Sequence, residues 1–476
     1  MAERLTAREA IAALTADFTE SAAPAGDTAG DGPLGWTGYA GSRARATART
    51  GEQESVVHGT ATVGGHRCVL ISFEFGFLGG SLGQRTGDRL EAAYEEAVTR
   101  RLPLVSLIAT GGSRMQEGMI ALTQLHRVAR ASARLRAAGP AQLAVLRDPT
   151  TGGGWATLGA GADVILALPG AQIGFAGSRV RPADADPAAY GAEGQLAAGS
   201  IDAIVPPGEL PATVGRWLGL LAHHDTPPAP APVPAALGRV REVPSGPRRT
   251  TGLSGHDLGA TDLPRTGWDA VLRARAADRP RAGAYLDAYF DLRLPLSGDR
   301  CGGTDPGLLC GFGLREGRPV AYVAQCGTAT RPAGYRTAAR VIRLADRLGA
   351  PVLTLVDTPG AANDAEAERS GAGAAIADAF AAIAAARVPV TTLVIGEGGS
   401  GGALALAAPD NTHVTPDSYF SVIAPELAAA ILKRAPDQVR ATAGQLRLRP
   451  QDLVDLGVAR SVAGPRGRRA GQAEDG

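Results

Sequence analysis

Residues 391 to 410 read TTLVIGEGGSGGALALAAPD, five glycines crowded around Glu397 and Ser400 between two apolar runs. Three different chemistries share that string. Gly396, Gly398 and Gly401 spell the G-x-G-x-x-G that cradles a dinucleotide pyrophosphate. Gly398, Ser400 and Gly402 spell the G-x-S-x-G of a hydrolase nucleophile elbow. The third reading needs no named side chain: a strand-to-helix turn whose bare backbone N–H groups point at an oxyanion.

Context separates the three. An elbow serine needs an acid and then a histidine further along, and the only histidine after Ser400 is His413, too near for a separate triad loop. A dinucleotide fingerprint does not explain why the turn occurs twice. The earlier stretch DPTTGGGWATLG, from Asp148, lacks the G-x-G-x-x-G spacing but keeps a glycine turn ahead of a helix. Both copies place backbone amides at a helix start, where missing Cβ atoms permit close approach and the helix N-terminus favours negative charge.

The elements that must carry these turns also recur. RLPLVSLIATGGSRMQEGMIALTQLHRVARASARLRAAG, from Arg101, reads as a short apolar strand, a Gly-Gly-Ser turn and a long amphipathic helix. AQLAVLRDPTTGGGWATLGAGADVILALPGAQIGFAG, from Ala141, adds a strand, a triple-glycine turn, a short helix and two strands. In the second half, APVLTLVDTPGAAND repeats the first pattern and VPVTTLVIGEGGSGGALALAAPDNTHVTPDSYFSVIAP the second. Gly111 and Gly153 are as far apart in sequence as Gly360 and Gly402, so the expected correspondence is Gly111 with Gly360 and Gly153 with Gly402.

Composition fits such an architecture. The 476 residues suit two domains, 45% are apolar and only 4% aromatic, so burial falls to Ala, Val, Leu and Ile packed against glycine turns in α/β layers. A net charge of +1 gives no electrostatic case for a nucleic-acid or membrane partner. The start, MAERLTAREAIAALTADFTE, has no signal-peptide core, and a cytoplasmic location is expected. Cys68, Cys301, Cys310 and Cys326 contain no C-x-x-C pair; they read as small apolar residues, and no metal site is expected. The expected division is an N-terminal domain over 1–225, a Pro/Gly-rich linker over 226–265 and a C-terminal domain over 266–476.

At this point the residues resemble a known family. FEFGFLGGSLG, TGGSRMQEG, DPTTGGG and IGFAGSRV are similar to the β subunit of bacterial acetyl-CoA carboxylase carboxyltransferase. PAGYRTAARVIRLADRL, LVDTPGA, GEGGSGGALALA and YFSVIAPE are similar to its α subunit. The chain therefore resembles a natural β/α fusion, which implies two tandem ClpP/crotonase-like ββα-spiral domains. The implied reaction moves a carboxyl group from N-carboxybiotin to the α carbon of a short acyl-CoA, acetyl-CoA by preference because Leu404 follows the acetyl-type α pattern.

What the resemblance assigns is carried by backbone. Gly152, Gly153 and Gly154 take the place of the thioester oxyanion hole, with Gly111, Gly112 and Ser113 beside it. Gly401, Gly402 and Ala403 take the place of the biotin hole, with Gly360 and Ala361 opposite and Gly398, Gly399 and Ser400 leading into it. Arg114 and Arg179, beside those turns, are candidates to meet CoA phosphates, with a solvated helix-start or loop arginine as the equal alternative, and Phe175 is a further cofactor-binding candidate. Trp155 departs from the family's small polar residue, and its indole either narrows the acyl pocket or packs beneath the turn. Glu117 and Glu397 match family positions in which helix capping is an equal expectation.

The sole lysine, Lys433, lies in AILKRAPD rather than in a methionine-flanked biotinylation hairpin, so the biotin carrier and the biotin carboxylase are expected to be separate proteins. The family builds its site from the N-half of one chain and the C-half of another, implying a homodimer or larger homo-oligomer. Three departures stand out: no zinc ribbon, a shortened AQCGTATRPAGYR, and PGAANDAEAERSGAG in place of the family loop. They keep open a malonyl-type acyl-CoA decarboxylase and a non-catalytic CoA-binding scaffold.

Overall fold

The computed structural model describes residues 4–24, 30–223, 228–238 and 262–464. The chain divides into two compact units: Met1–Asp225 joined by Leu296–Thr304, and Thr226–Pro295 with Asp305–Gly476. Of the stretch expected as a linker, 228–238 and 262–265 are described and 226–227 and 239–261 lie outside the described residues. Ala231 and Ala236 are buried in the core of the second unit, and the Ala231 carbonyl accepts from Thr391 Oγ1 at 2.8 Å.

The first unit is built on an eight-stranded sheet in the order β1 (Asp17–Glu20), β2 (Val56–Val63), β3 (His66–Phe73), β4 (Leu104–Thr110), β5 (Gln142–Thr151), β6 (Val164–Ala167) and β8 (Ala203–Ile204), with β7 (Ile173–Gly174) paired to β5. The β1–β2 and β2–β3 pairs are antiparallel and the pairs from β3 onward parallel. Every residue of β4, LVSLIAT, is buried, the pattern of a strand covered on both faces. Two long helices follow β3 and β4: α1 (Gln84–Arg100) and α2 (Gly118–Ala138). A short one, α3 (Gly152–Gly154), follows β5 and passes into a wide turn over Trp155–Gly159.

The second unit repeats the plan in the order β16 (Ser461–Val462), β14 (Thr412–Val414), β13 (Val390–Gly399), β12 (Val352–Thr358), β11 (Arg318–Gln325), β10 (Leu308–Arg315) and β9 (Leu292–Leu296), with β15 (Tyr419–Ser421) paired to β13. Its helices are α4 (Pro332–Leu348), opened by Pro332 and closed by left-handed Gly349, α5 (Ala372–Ala385) and the short α6 (Ser400–Leu404).

The two copies are in strict register, but one residue away from the correspondence expected from glycine spacing. Leu104 matches Val352 in the sheet ladders, Thr110 matches Thr358, and the bridges Leu82–Ser113 and Thr330–Ala361 coincide. Left-handed Gly152 (φ 62°) opens α3 and left-handed Ser400 (φ 57°) opens α6. Gly112 therefore corresponds to Gly360, and Gly154 to Gly402. The equal spacing holds equally for Gly112 and Gly154, so spacing alone does not choose between the two registers.

Two of the four cysteines, Cys68 and Cys310, are buried as small apolar residues are; Cys326 is half-buried and Cys301 exposed, so the apolar reading does not extend to Cys301. Beneath the first turn of the first unit lies a buried ion cluster. Arg114, 1% exposed, donates to the Glu54 carboxylate and, at 2.7 Å, to the Ser81 carbonyl; Glu117 accepts from Tyr39 OH at 2.6 Å and from the first amide of α1, Gln84 N. Burial alone would raise the Glu54 carboxyl pKa, but Arg114 outweighs it and holds the group below the ordinary carboxylate range.

A carboxyl whose pKa is lower folded than unfolded contributes stability that is complete above the ordinary Glu range, about 4.3, and is lost as pH falls through the folded value. The first unit is therefore expected to lose stability in acid below that range. Glu54→Gln leaves Arg114 buried without its main partner; a loss of about 3 kcal/mol at neutral pH and a flatter acid limb are expected in denaturant titrations followed across pH.

Candidate functional site

In each unit the strand that ends at the candidate turn has slipped relative to its neighbour. Ile108 pairs with Leu146 but Thr110 with Thr150, and Val356 pairs with Val394 but Thr358 with Gly398. Each longer strand therefore carries two extra residues just before its end. Such a bulge lifts the strand end and sets its turn over the turn of the neighbouring strand.

That overlap brings the sequence-predicted glycines together within each unit. A Cβ added at Gly152 would stand 2.9 Å from the Gly112 Cα, and one at Gly402 would stand 2.3 Å from the Ala361 nitrogen. At Gly399 it would stand 2.0 Å from the Pro359 oxygen. Gly153 and Gly154 are closed by side chains instead, Leu125 and Thr110. Gly398 meets the Phe420 ring. Most of the cluster is thus fixed by packing of backbone on backbone or on a neighbouring side chain.

The amides sort into two groups. Gly111 N donates to the Gly79 carbonyl at 2.9 Å, Gly112 N to Thr110 Oγ1 at 3.0 Å and Gly152 N to the Phe175 carbonyl at 3.1 Å. Gly360 N donates to Thr358 Oγ1 at 3.1 Å, the same bond in the second copy. These four N–H groups shape the turns and are not available to a ligand. The amides of Gly153 and Gly154, and of Gly401 and Gly402, lie in first helical turns ahead of the first carbonyl-bonded amide; Ala403, four residues after the N-cap Gly399, is the first amide of its helix to meet a helical carbonyl.

Gly401 is different from its neighbours. It is exposed, its φ is not left-handed, and a Cβ there would meet nothing within 4 Å. Packing does not require a glycine at this position, and glycine is a poor helix residue. A bare surface beside the first-turn amides of Gly401 and Gly402 suits the close approach of an oxyanion-bearing group.

The side chains expected to bind ligand divide. Arg114 is corrected: it is buried and spent on Glu54, Glu117 and the Ser81 loop, so it holds the turn from beneath and meets no phosphate. Arg179 is exposed, as are Phe175, at 74%, and Leu404, at 49%. Trp155 is half-buried against the core, its ring over Gly159, a packing role beneath the turn. Glu117 caps α1, as above, whereas Glu397 accepts from Arg275 and from Tyr419 OH, each at 2.8 Å. Ser113 and Ala361 sit at matching bridge positions flanking the turns. Ser400 has no histidine partner: His413 bonds Ser461 Oγ at 2.8 Å and Asn411 Oδ1 at 3.2 Å, which removes the elbow reading.

Fold and turns together define a carboxyltransferase of two tandem crotonase-type domains. Residues 38–204 match the carboxyl transferase domain family, and 263–468 the acetyl co-enzyme A carboxylase carboxyltransferase-like family. The acetyl-coenzyme A carboxylase carboxyl transferase subunits beta/alpha of Salinispora arenicola are 40% identical over 87% of this chain and 74% of theirs. A probable biotin-dependent acyl-coenzyme A carboxylase beta3 subunit of Mycobacterium bovis is 33% identical over 89% of this chain and 82% of its own. The fold matches the transcarboxylase 12S crystal structure with methylmalonyl-coenzyme A bound at a TM-score of 0.77 and 21% identity, covering 99% of this chain and 92% of that one. The chain belongs to the acetyl-CoA carboxylase carboxyltransferase family, in its β/α fusion form, and is an acyl-CoA carboxyltransferase.

Gly401 and Gly402 separate packing from ligand approach. Gly401→Ala is expected to leave the melting temperature unchanged or slightly raised, since alanine is favoured over glycine in a helix by about 0.5–1 kcal/mol, while lowering carboxyl transfer at least about tenfold. Gly402→Ala is expected to lower both. Thermal unfolding and transfer rates of the two variants, measured side by side, check this.

Proposed function

We propose that the first unit binds the thioester of a short acyl-CoA, acetyl-CoA by preference, and that the second receives carboxybiotin from a separate carrier protein charged by a separate biotin carboxylase. The observation that carries this is the duplicated helix start, Gly153–Gly154 in one copy and Gly401–Gly402 in the other, each presenting first-turn amides beside a glycine-lined turn. A homodimer or larger homo-oligomer is part of the same reading.

Transfer generates negative charge on two oxygens, and neutral peptide donors suit both. Removing the α proton of the thioester places charge on its carbonyl oxygen, which the amides at Gly153 and Gly154 would take up. Carboxybiotin supplies the CO2 and, once decarboxylated, a basic ureido group able to accept the α proton. The amides of Gly401 and Gly402 would hold the ureido oxygen. Removing one such donor costs about 10² to 10³ in rate in well-studied oxyanion holes, so backbone alone can supply most of the barrier lowering. Glu54 and Glu117 of the first unit and Glu397 of the second are held by arginine or tyrosine partners rather than poised as general bases.

Purified protein incubated with malonyl-CoA and free biotin is expected to form acetyl-CoA only when biotin is present. Release of CO2 at the same rate without biotin would instead assign a decarboxylase. Absence of both reactions, together with retained acyl-CoA binding, would assign a scaffold.

A further inference from the structure

The carbonyl of Gly402 is held by side chains, not by the helix that contains it. In α6 the Ala405 amide returns to Gly401 and the Leu406 amide to Ala403, so the Gly402 oxygen has no amide four residues on. Tyr335 OH donates to it at 2.9 Å from α4, and Gln325 Nε2 at 3.3 Å from the end of β11. Both donors are buried, Tyr335 at 1% and Gln325 at 0% exposure. Burial raises the Tyr335 phenol far above its ordinary pKa, so the hydroxyl keeps its proton.

Gln325 carries a cost. Its Nε2 bonds Gly402 O and Thr330 Oγ1, but its buried Oε1 has no partner among the described residues. A glutamine half-satisfied in a dry interior is worse for stability than an apolar residue of its size. The register of the duplication supplies the comparison. Gln325 corresponds to Phe73 and Tyr335 to Gly87, so the first unit has neither donor at these places while sharing the sheet, the helices and the turn. In the first unit the corresponding carbonyl, Gly154, caps the wide turn Trp155–Gly159, whose amides return five residues, so backbone serves it there and side chains serve Gly402 in the second unit.

We propose that Tyr335 and Gln325 are positioning residues that fix the Gly402–Ala403 peptide plane. Holding the Gly402 oxygen from behind fixes the conformation of a glycine whose own N–H, like that of Gly401, comes before the first carbonyl-bonded amide of the helix, Ala403, which follows the N-cap Gly399 by four residues. Neither side chain reaches the ligand face; both act through the backbone. This inference rests on the assignment of the Gly401–Ala403 turn to the carboxybiotin side proposed above, and it adds what orients that turn.

Tyr335→Phe, Gln325→Leu and the double variant test it with two readouts. Amide hydrogen exchange across 400–405 is expected to rise about tenfold in the double variant, with 150–160 of the first unit unchanged. Turnover is expected to fall about tenfold in each single variant and further in the double, at unchanged KM for acyl-CoA. Unchanged exchange at 400–405, with Gly401→Ala still impaired, overturns the clamp and leaves the assignment of the turn intact. Faster exchange with undiminished turnover overturns that assignment and the positioning role with it. A rise in KM for acyl-CoA proportional to the loss of rate makes the two residues structural and overturns the proposal. If the double variant fails to fold, the two single variants decide by the same readouts.

Discussion

In both units, two strand-end turns are stacked so closely that a side chain does not fit between them. The Gly152 Cα lies over Gly112, and Gly402 lies against the Gly360–Ala361 peptide, each leaving less than 3 Å for an added carbon. This contact consumes some amides and releases others. Gly111, Gly112, Gly152 and Gly360 spend their N–H groups inside the turns, whereas the first-turn amides of the short helices precede the first helical hydrogen bond. Glycine here serves proximity of backbones first and proximity of ligand second, and at Gly401 an added carbon would meet nothing within 4 Å.

Rigidity behind the turns is bought with buried ion pairs, and the two copies do it differently. In the first unit Arg114 draws Glu54, Glu117 and the Ser81 loop together beneath the turn. In the second, Asp357, one residue before Thr358 at the end of β12, accepts from Arg279 at 2.9 Å and from the Glu397 amide at 3.2 Å, while Arg279 also donates to the Ile395 carbonyl. That pair ties β12 to β13 across the bulge, where ladder hydrogen bonds are interrupted. Buried pairs contribute little net stability and lose much when one partner is removed, so their effect is to hold one arrangement of the strand ends.

The glycine turns, the ββα repetition and the duplication were legible because each leaves a local signal: an apolar run, a breaker, a helical period. The register was not, because glycine spacing fits two alignments one residue apart and only the ladder pairs and the left-handed positions choose between them. Arg114 was misread for a related reason. An arginine beside a phosphate-type turn looks the same in sequence whether it faces a ligand or the core, and its partner Glu54 lies sixty positions away in the chain. Tyr335 sits at helical spacing among Ala338, Ala339 and Ile342 and reads as one more core residue, since nothing local announces that its hydroxyl meets a carbonyl 67 positions on.

Duplication followed by local divergence gives one scaffold two related tasks. Both copies keep what any oxyanion turn needs: a covered strand, a bulge, a glycine contact and a helix start. They differ in what surrounds the peptide after the turn. The first copy sets a bulky Trp155 at the position of Ala403 and widens the following turn, its Ala160 amide returning five residues to Trp155 at 2.7 Å. The second keeps a small buried alanine and locks the preceding carbonyl with Tyr335 and Gln325. A helix start locked from behind presents its orphan donors, the Gly401 and Gly402 amides, in one direction at no reorganisation cost, which matters most where the charge to be held forms only as a bond breaks. On the proposed division of labour that charge is the ureido oxyanion, and the extra hydrogen bonds stand in the unit assigned to it.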